Sequence, residues 1–230
     1  VATVTPAESS PMILVSSVGV RPVLEELAAI VAQLEQRADL HGLLLRSGKP
    51  GQFIAGADLH ELGALVHLTA EELRTALAGG HALFDRLSRL PFPTVSLIDG
   101  ACMGGGTELS LALDERLASN NPKTRIGLPE VTIGLIPGWG GTQRLPRLVG
   151  LHHAIDMICS GEPVTPQKAA AIGLVFDAVP ADRLVDEGCR VVESLYQSGE
   201  WQARRERRQQ PLGLTEDQLQ FSFACAEGQI

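Results

Sequence analysis

Residues 128–144 read LPEVTIGLIPGWGGTQR and contain one acidic residue, Glu130, among apolar residues, prolines and glycines. These surroundings are unusual for a carboxylate that only contacts solvent, and burial raises the pKa of a carboxyl group. Acid–base catalysis near neutral pH needs a shift of this kind. Glu130 is therefore a candidate proton-transfer residue. The alternative is that Glu130 caps a helix or forms an ion pair, for example with Arg144.

Two turns of small residues precede this stretch: FIAGAD at 53–58 and DGACMGGGTE at 99–108. Each has the order strand, turn and helix start, which leaves backbone N–H groups unpaired at a helix N-terminus. Two such turns facing each other would form an oxyanion hole for a thioester carbonyl that becomes an enolate. Each turn alone is also compatible with a tight strand-to-helix connection that binds no ligand.

A second candidate acid lies beside the later turn. Glu108 follows Gly105 by three residues, about one helical turn, so its side chain would reach the space in front of the Gly105 N–H. Alone, Glu108 would also be a favourable acid in the first turn of a helix. Two nearby carboxyl groups titrate separately, and the combination with the two turns favours acid–base chemistry.

Strand-like and helix-like segments alternate along the chain, which predicts an α/β fold. Apolar residues recur every three or four positions at 23–35 and 71–90, and this spacing predicts amphipathic helices. Short apolar runs at 41–45 and 94–98 predict buried strands, whereas 7–22 has the composition of a loop. Further strands are predicted at 1–5, 53–55, 116–118 and 124–127, and further helices at 59–65, 107–113, 140–148, 151–159, 166–172 and 184–197.

The bulk composition limits the class of protein. A chain of 230 residues with 44% apolar and 20% charged residues suits one large soluble domain. Its net charge of −8 argues against a nucleic-acid partner, because phosphate backbones bind clustered Lys and Arg. The basic run at 204–208 is interpreted as a solvated helix face or linker.

The cysteines and the apolar runs bear on metals and membranes. The four cysteines are scattered without the spacing of metal ligands. No apolar run approaches the roughly 20 residues of a membrane span, and no signal peptide is evident. We therefore expect a cytoplasmic protein without a metal site or a membrane span.

Taken together, AGAD at 55–58, GGGTE at 104–108 and PEVTIGLIPGWGGTQRL at 129–145 resemble the motifs of the crotonase, or enoyl-CoA hydratase/isomerase, superfamily. The resemblance extends over about 1–179 and implies the crotonase (ClpP/crotonase-like) fold, in which ββα units repeat and helices follow. It implies a crotonase-like core domain at 1–185 and a C-terminal helical segment at 186–230.

Shorter phrases resemble one branch of that superfamily. SGKPG at 47–51, NPKT at 121–124 and LPR at 145–147 are similar to the N-terminal hydratase part of multifunctional fatty-acid oxidation complex α subunits. The segment 186–230 is then either truncated or a linker to a dehydrogenase domain that this sequence lacks. A dehydrogenase or thiolase partner is implied as well, and relatives typically form homotrimers or hexamers.

The resemblance also implies roles for individual residues. Glu108 and Glu130 match the acid–base pair of the hydratases, and the backbone N–H groups of Ala57 and Gly105 match the oxyanion hole. Trp139 stands where many relatives have Ala or Ser, so it would either restrict the acyl chain or simply fill the core. The positions that match contacts to the substrate or its CoA are Ala55, Gly56, Ala57, Asp58, Leu59, His60, Gly104, Pro129 and Trp139.

The implied reaction is the addition of water to a trans-2-enoyl-CoA in fatty-acid β-oxidation, giving a 3-hydroxyacyl-CoA. No cofactor is expected, because the CoA is part of the substrate. Two alternatives remain: Δ3-Δ2-enoyl-CoA isomerisation at the same site, and a non-catalytic module that binds acyl-CoA.

Overall fold

The computed structural model describes residues 4–5, 12–15, 20–49, 51–56, 63 and 67–227. The strands in these ranges are β1 (Val4–Thr5), β2 (Met12–Val15), β3 (Leu43–Ser47), β4 (Gln52–Ile54), β5 (Thr94–Ile98), β6 (Ala101–Met103), β7 (Glu115–Ser119), β8 (Arg125–Gly127) and β9 (Asp177–Val179). The α-helices are α1 (Val20–Leu34), α2 (Ala70–Leu87), α3 (Gly105–Leu111), α4 (Gly141–Val149), α5 (Leu151–Ser160), α6 (Pro166–Ala171), α7 (Leu184–Ser198), α8 (Glu200–Gln209) and α9 (Glu216–Glu227). Short 3-10 helices occupy Pro129–Ile133 and Ala181–Arg183. Within the described ranges, every helix is too short or too polar to cross a membrane.

From β3 onwards, consecutive strands alternate between two sheets. The larger sheet has the order β1-β2-β3-β5-β7-β9 and is parallel except for the β1–β2 pair, and the smaller parallel sheet has the order β4-β6-β8. Three times the chain passes through the larger sheet, crosses to the smaller one and then continues towards a helix. This repeated ββα arrangement confirms the predicted crotonase fold.

The central strand β5 is buried at every position, because a parallel sheet is covered on both faces. Alternate residues of a strand point to opposite faces. Val95 and Leu97 accordingly pack in one apolar cluster with Val192 of α7, whereas Ile98 belongs to the main core with Phe84 of α2. The sheet is thereby fixed between two helical layers, and the turns at its strand ends are held in place.

Strand β5 lies at the predicted 94–98, and most predicted helices differ from the observed ones by a few residues at their ends. The loop predicted for 7–22 is wrong in part, because β2 pairs in parallel with β3 and α1 begins at Val20. Pro22 is compatible with that helix, since the first turn of a helix lacks acceptors for its N–H groups. The helix predicted at 59–65 lies outside the described residues.

The basic run on α8 is anchored to the body of the protein. Arg205 forms hydrogen bonds of 2.7 and 2.6 Å to the buried carboxylate of Asp114. Arg208 donates to the carbonyl oxygens of Leu113 and Asp114, and Arg204 donates to Glu115 at 2.8 Å. The interpretation of this run as a solvated face or linker is therefore wrong: these arginines stabilise carbonyl and carboxylate groups where α3 passes into β7.

Candidate active site

The turn between β6 and α3 is held in one conformation. Gly104 has φ +55° and ψ −123°, which a residue with a side chain adopts only with strain. The N–H of Gly104 donates to the carbonyl of Gly127 at 3.0 Å. Gly105 is the first residue of α3, so its own N–H has no acceptor within the helix. The Gly105 N–H thus lies at the N-terminus of α3, and its expected role in an oxyanion hole stays a prediction.

The described part of the earlier turn packs against this one. A Cβ atom on Gly56, which has φ +100°, would lie 3.7 Å from the carbonyl oxygen of Met103. A Cβ on Gly106 would lie 2.7 Å from the carbonyl oxygen of Ile54, so only glycine permits this approach. Ala55 is exposed at the start of the turn. The described part of the earlier turn is therefore adjacent to the later one.

The remaining residues of the earlier turn lie outside the described residues. They are Ala57, Asp58, Leu59 and His60. Their expected roles in the oxyanion hole and in CoA binding stay predictions.

The carboxyl group of Glu108 is buried, with 2% of the residue exposed. Its Oε1 accepts hydrogen bonds from the backbone N–H groups of Trp139, at 2.7 Å, and Gly141, at 2.8 Å. Burial raises the pKa of Glu108, while these two hydrogen bonds and the electrostatic influence of His81 and Arg144 oppose that rise. The donors at the N-terminus of α4 thus favour the ionised form of a buried acid.

Glu130 lies in the 3-10 helix that follows β8, facing the glycine turn. Its Oε1 would be 3.2 Å from a Cβ atom on Gly104. Its Oε2 is buried and has no hydrogen-bond partner among the described residues. Burial raises the pKa of Glu130 to about 7; its own backbone N–H opposes the rise, and the charge of Glu108 adds to it. Glu108 and Glu130 are therefore electrostatically coupled at one site.

An ion pair between Glu130 and Arg144, the alternative considered from sequence, is not the arrangement found. Arg144 donates instead to Asp85 at 2.7 Å and to the backbone carbonyl of Trp139 at 2.8 Å. Asp85, 59 residues away on α2, has no signal in the sequence that links it to this site. The amide of Gly141 could have been anticipated, because a glycine pair before a helix leaves free N–H groups.

Pro129 and Trp139 complete the described part of the site. Pro129 opens the 3-10 helix and is partly buried, with its Cα 3.4 Å from the position of a Cβ on Gly161. Trp139 is half-buried, and its indole lies against the start of α3. The structure therefore brings Gly104, Gly105, Glu108 and Trp139 together with Glu130. It thus offers a backbone amide at a helix N-terminus, two acids and an aromatic ring in one place.

The fold and this pair of acids define a crotonase-type protein. The family model described as "Enoyl-CoA hydratase/isomerase" matches residues 21–218, so the chain belongs to that family. Two curated relatives are fatty acid oxidation complex subunits alpha. The one from Shewanella halifaxensis is 47% identical over 160 residues, covering 70% of this chain and 22% of the relative. The one from Vibrio vulnificus is 47% identical over 169 residues, covering 74% of this chain and 24% of the relative.

The chain therefore spans less than a quarter of the length of these two relatives. Among solved structures, an enoyl-CoA hydratase from Bacillus anthracis is 32% identical with a TM-score of 0.77. That alignment covers 99% of this chain and 90% of the other. The likeness to this enoyl-CoA hydratase thus extends over almost the whole chain.

Proposed function

We propose that this protein is an enoyl-CoA hydratase that adds water to a trans-2-enoyl-CoA to give a 3-hydroxyacyl-CoA. The observation that carries the proposal is the placement of the acids Glu108 and Glu130 at the glycine turn where α3 begins at Gly105. Family membership and the fatty acid oxidation relatives support the class of reaction. The choice of hydration rests on the presence of two acids, because hydration moves one proton off water and another onto carbon.

The oxyanion step depends on the turn between β6 and α3. The thioester oxygen of the substrate accepts a hydrogen bond from the Gly105 N–H. The backbone N–H of Ala57 is the second donor that we propose. This polarises the conjugated double bond and makes C3 electrophilic. Negative charge then develops on the oxygen as the enolate forms, and one such donor typically contributes about 2.7–4 kcal/mol to lowering the barrier.

The two acids take different roles because their surroundings differ. Glu108 accepts two backbone hydrogen bonds that favour its ionised form, so it acts as the base and removes a proton from water as the oxygen attacks C3. Glu130 has a raised pKa and a buried oxygen without a partner, so it holds a proton and delivers it to C2. Return of a proton from Glu108 to Glu130, through solvent, restores the starting state.

The test is the hydration of crotonyl-CoA, followed as the loss of absorbance of its conjugated double bond. We expect Glu108→Gln and Glu130→Gln each to lower kcat by about 10²–10⁴-fold, the usual contribution of a positioned acid or base. Glu206→Gln, on the exposed side of α8, is the matched control and should leave kcat unchanged. Near-normal hydration by either active-site variant would reject the proposal.

Isomerisation of a 3-enoyl-CoA is a second candidate, favoured by one observation. Glu130 combines a pKa of about 7 with an unpartnered oxygen, so it suits a group that removes a proton from C2 and returns one to C4. Isomerisation needs only this acid and the oxyanion hole. In an assay with a 3-enoyl-CoA, activity that survives Glu108→Gln but not Glu130→Gln would identify it.

A further inference from the structure

The side chain of Trp139 is fixed over the start of α3. A Cβ atom on Gly105 would lie 2.8 Å from Cζ3 of the indole, and one on Gly80 of α2 would lie 2.6 Å from its Cε2. Phe84 meets the indole edge-on, with ring centroids 5.8 Å apart. The indole therefore packs between two helices at positions where both lack side chains.

The direction of the acyl chain follows from the two acids. If Gly105 holds the thioester oxygen and Glu108 directs water to C3, the carbons beyond C3 extend past Glu108. The loop that carries Trp139 contacts Glu108, because the Trp139 N–H donates to its carboxylate at 2.7 Å, and the indole lies against Gly105. The chain beyond C3 would therefore reach the indole.

We propose that the Trp139 indole closes the end of the acyl site and restricts the enzyme to short-chain enoyl-CoA substrates. This inference rests on the proposed function, since it assumes that an acyl-CoA binds at Gly105. Trp139 would be a specificity-determining residue that acts by its bulk. It would take no part in proton transfer.

The surroundings of the indole nitrogen indicate that Trp139 acts by its bulk and not by a hydrogen bond. Nε1 of Trp139 is buried and has no acceptor among the described residues. The indole therefore forms no hydrogen bond with the described residues, and it contributes by its bulk. A phenyl ring would preserve much of the aromatic bulk without the N–H group. Trp139→Phe therefore separates the effect of bulk from that of hydrogen bonding.

The experiment compares kcat/KM for crotonyl-CoA, trans-2-octenoyl-CoA and trans-2-dodecenoyl-CoA. For the wild type we expect kcat/KM to fall with chain length. In Trp139→Ala the ratio of dodecenoyl to crotonyl kcat/KM should rise by at least about tenfold, since a few methylene groups in an apolar pocket discriminate by this much. Trp139→Phe should keep the wild-type order. A wild type that prefers dodecenoyl-CoA, or an unchanged ratio in Trp139→Ala, would overturn the proposal.

A binding measurement separates this proposal from the proposed function. Calorimetry with butanoyl-CoA and dodecanoyl-CoA, which cannot be hydrated, reports the acyl site without turnover. If the wild type binds butanoyl-CoA more tightly and Trp139→Ala reverses that order, the role of the Trp139 indole in limiting chain length is supported. This holds even where no hydration is measured. If hydration occurs but both proteins bind the two thioesters equally, the role of Trp139 in limiting chain length is rejected and the hydratase assignment stands.

Discussion

The backbone N–H of Trp139 donates to the carboxylate of Glu108 at 2.7 Å, although 31 residues separate them in the chain. The carbonyl of the same residue accepts a hydrogen bond from Arg144, whose guanidinium also binds Asp85. A continuous set of contacts therefore leads from α2 to the candidate base. The orientation of Glu108 depends on a loop that Arg144 holds in place.

We expect Arg144→Gln to lower kcat by about 10²-fold with a smaller effect on KM, because a small displacement of a catalytic group has an effect of this order. Loss of the Arg144 charge also removes one influence that lowers the pKa of Glu108, so the acidic side of the kcat profile should move to higher pH. Arg147→Gln is the control, because Arg147 bonds the carbonyl of Gln143 within its own helix. Equal kinetics of the two variants would contradict this positioning role.

The pH dependence of hydration follows from Glu130. Its protonated form is the active one in the proposed mechanism, and burial raises its pKa to about 7. The protonated fraction falls as the pH rises through that value, so kcat/KM should decline on the alkaline side with an apparent pKa near 7. A pH series with crotonyl-CoA measures this, and Glu206→Gln should give the same curve as the wild type. A rate that is constant from about pH 6 to 9 would contradict the role.

The same shift makes Glu130 unfavourable for stability at alkaline pH. Its pKa is about 7 in the folded protein against 4.5 ordinarily, so the folded state holds the proton more tightly and stability falls as the pH rises between these values. Glutamine does not titrate. Glu130→Gln should therefore raise Tm above that of the wild type at about pH 8, and the gain should shrink towards about pH 5. A Tm difference that is independent of pH would show that the pKa of Glu130 is not raised in the folded protein.

Local patterns were sufficient for much of the fold. Strand β5 was predicted at its observed bounds, because a short apolar run that contains Thr, Val and Ile stands between prolines and a glycine, which favours a buried strand. Strand β2 was missed in a segment rich in proline, serine and glycine, since its pairing with β3 is a long-range contact that composition does not reveal. The strand β9 was missed for the same reason, because its pairing with β7 determines it.

The candidate site likewise contains residues that local motifs predict and residues that only long-range contacts bring together. The positions of Gly105, Glu108 and Glu130 follow from motif spacing, whereas the groups that hold Glu108 come from α4 and its preceding loop. A periodic pattern also cannot tell whether a basic helix meets solvent or a buried carboxylate. The contacts of Arg205 with Asp114, 91 residues apart, needed coordinates.

Two adjacent glycines of α2 provide a matched test of the Trp139 position. A Cβ at Gly80 would overlap the indole, whereas one at Gly79 meets nothing within 4 Å. Gly80→Ala should cost about 1–3 kcal/mol in the free energy of unfolding, as overpacking does, and should change the tryptophan fluorescence. Gly79→Ala should stabilise the helix by up to about 1 kcal/mol with unchanged fluorescence. Similar effects of the two substitutions would mean that the indole does not lie on Gly80.

The anchoring of α8 can be tested with two arginines of the same helix. Asp114 is 2% exposed, and Arg205 is the cation that neutralises it at 2.6 Å, whereas Arg207 is exposed. Arg205→Gln should destabilise the fold by roughly 3–5 kcal/mol, because it leaves a buried carboxylate without its partner. Arg207→Gln should stay within about 0.5 kcal/mol, as surface substitutions usually do. Unfolding in urea measures both. Equal midpoints would show that the pair of Arg205 and Asp114 makes no measurable contribution to the anchoring of α8.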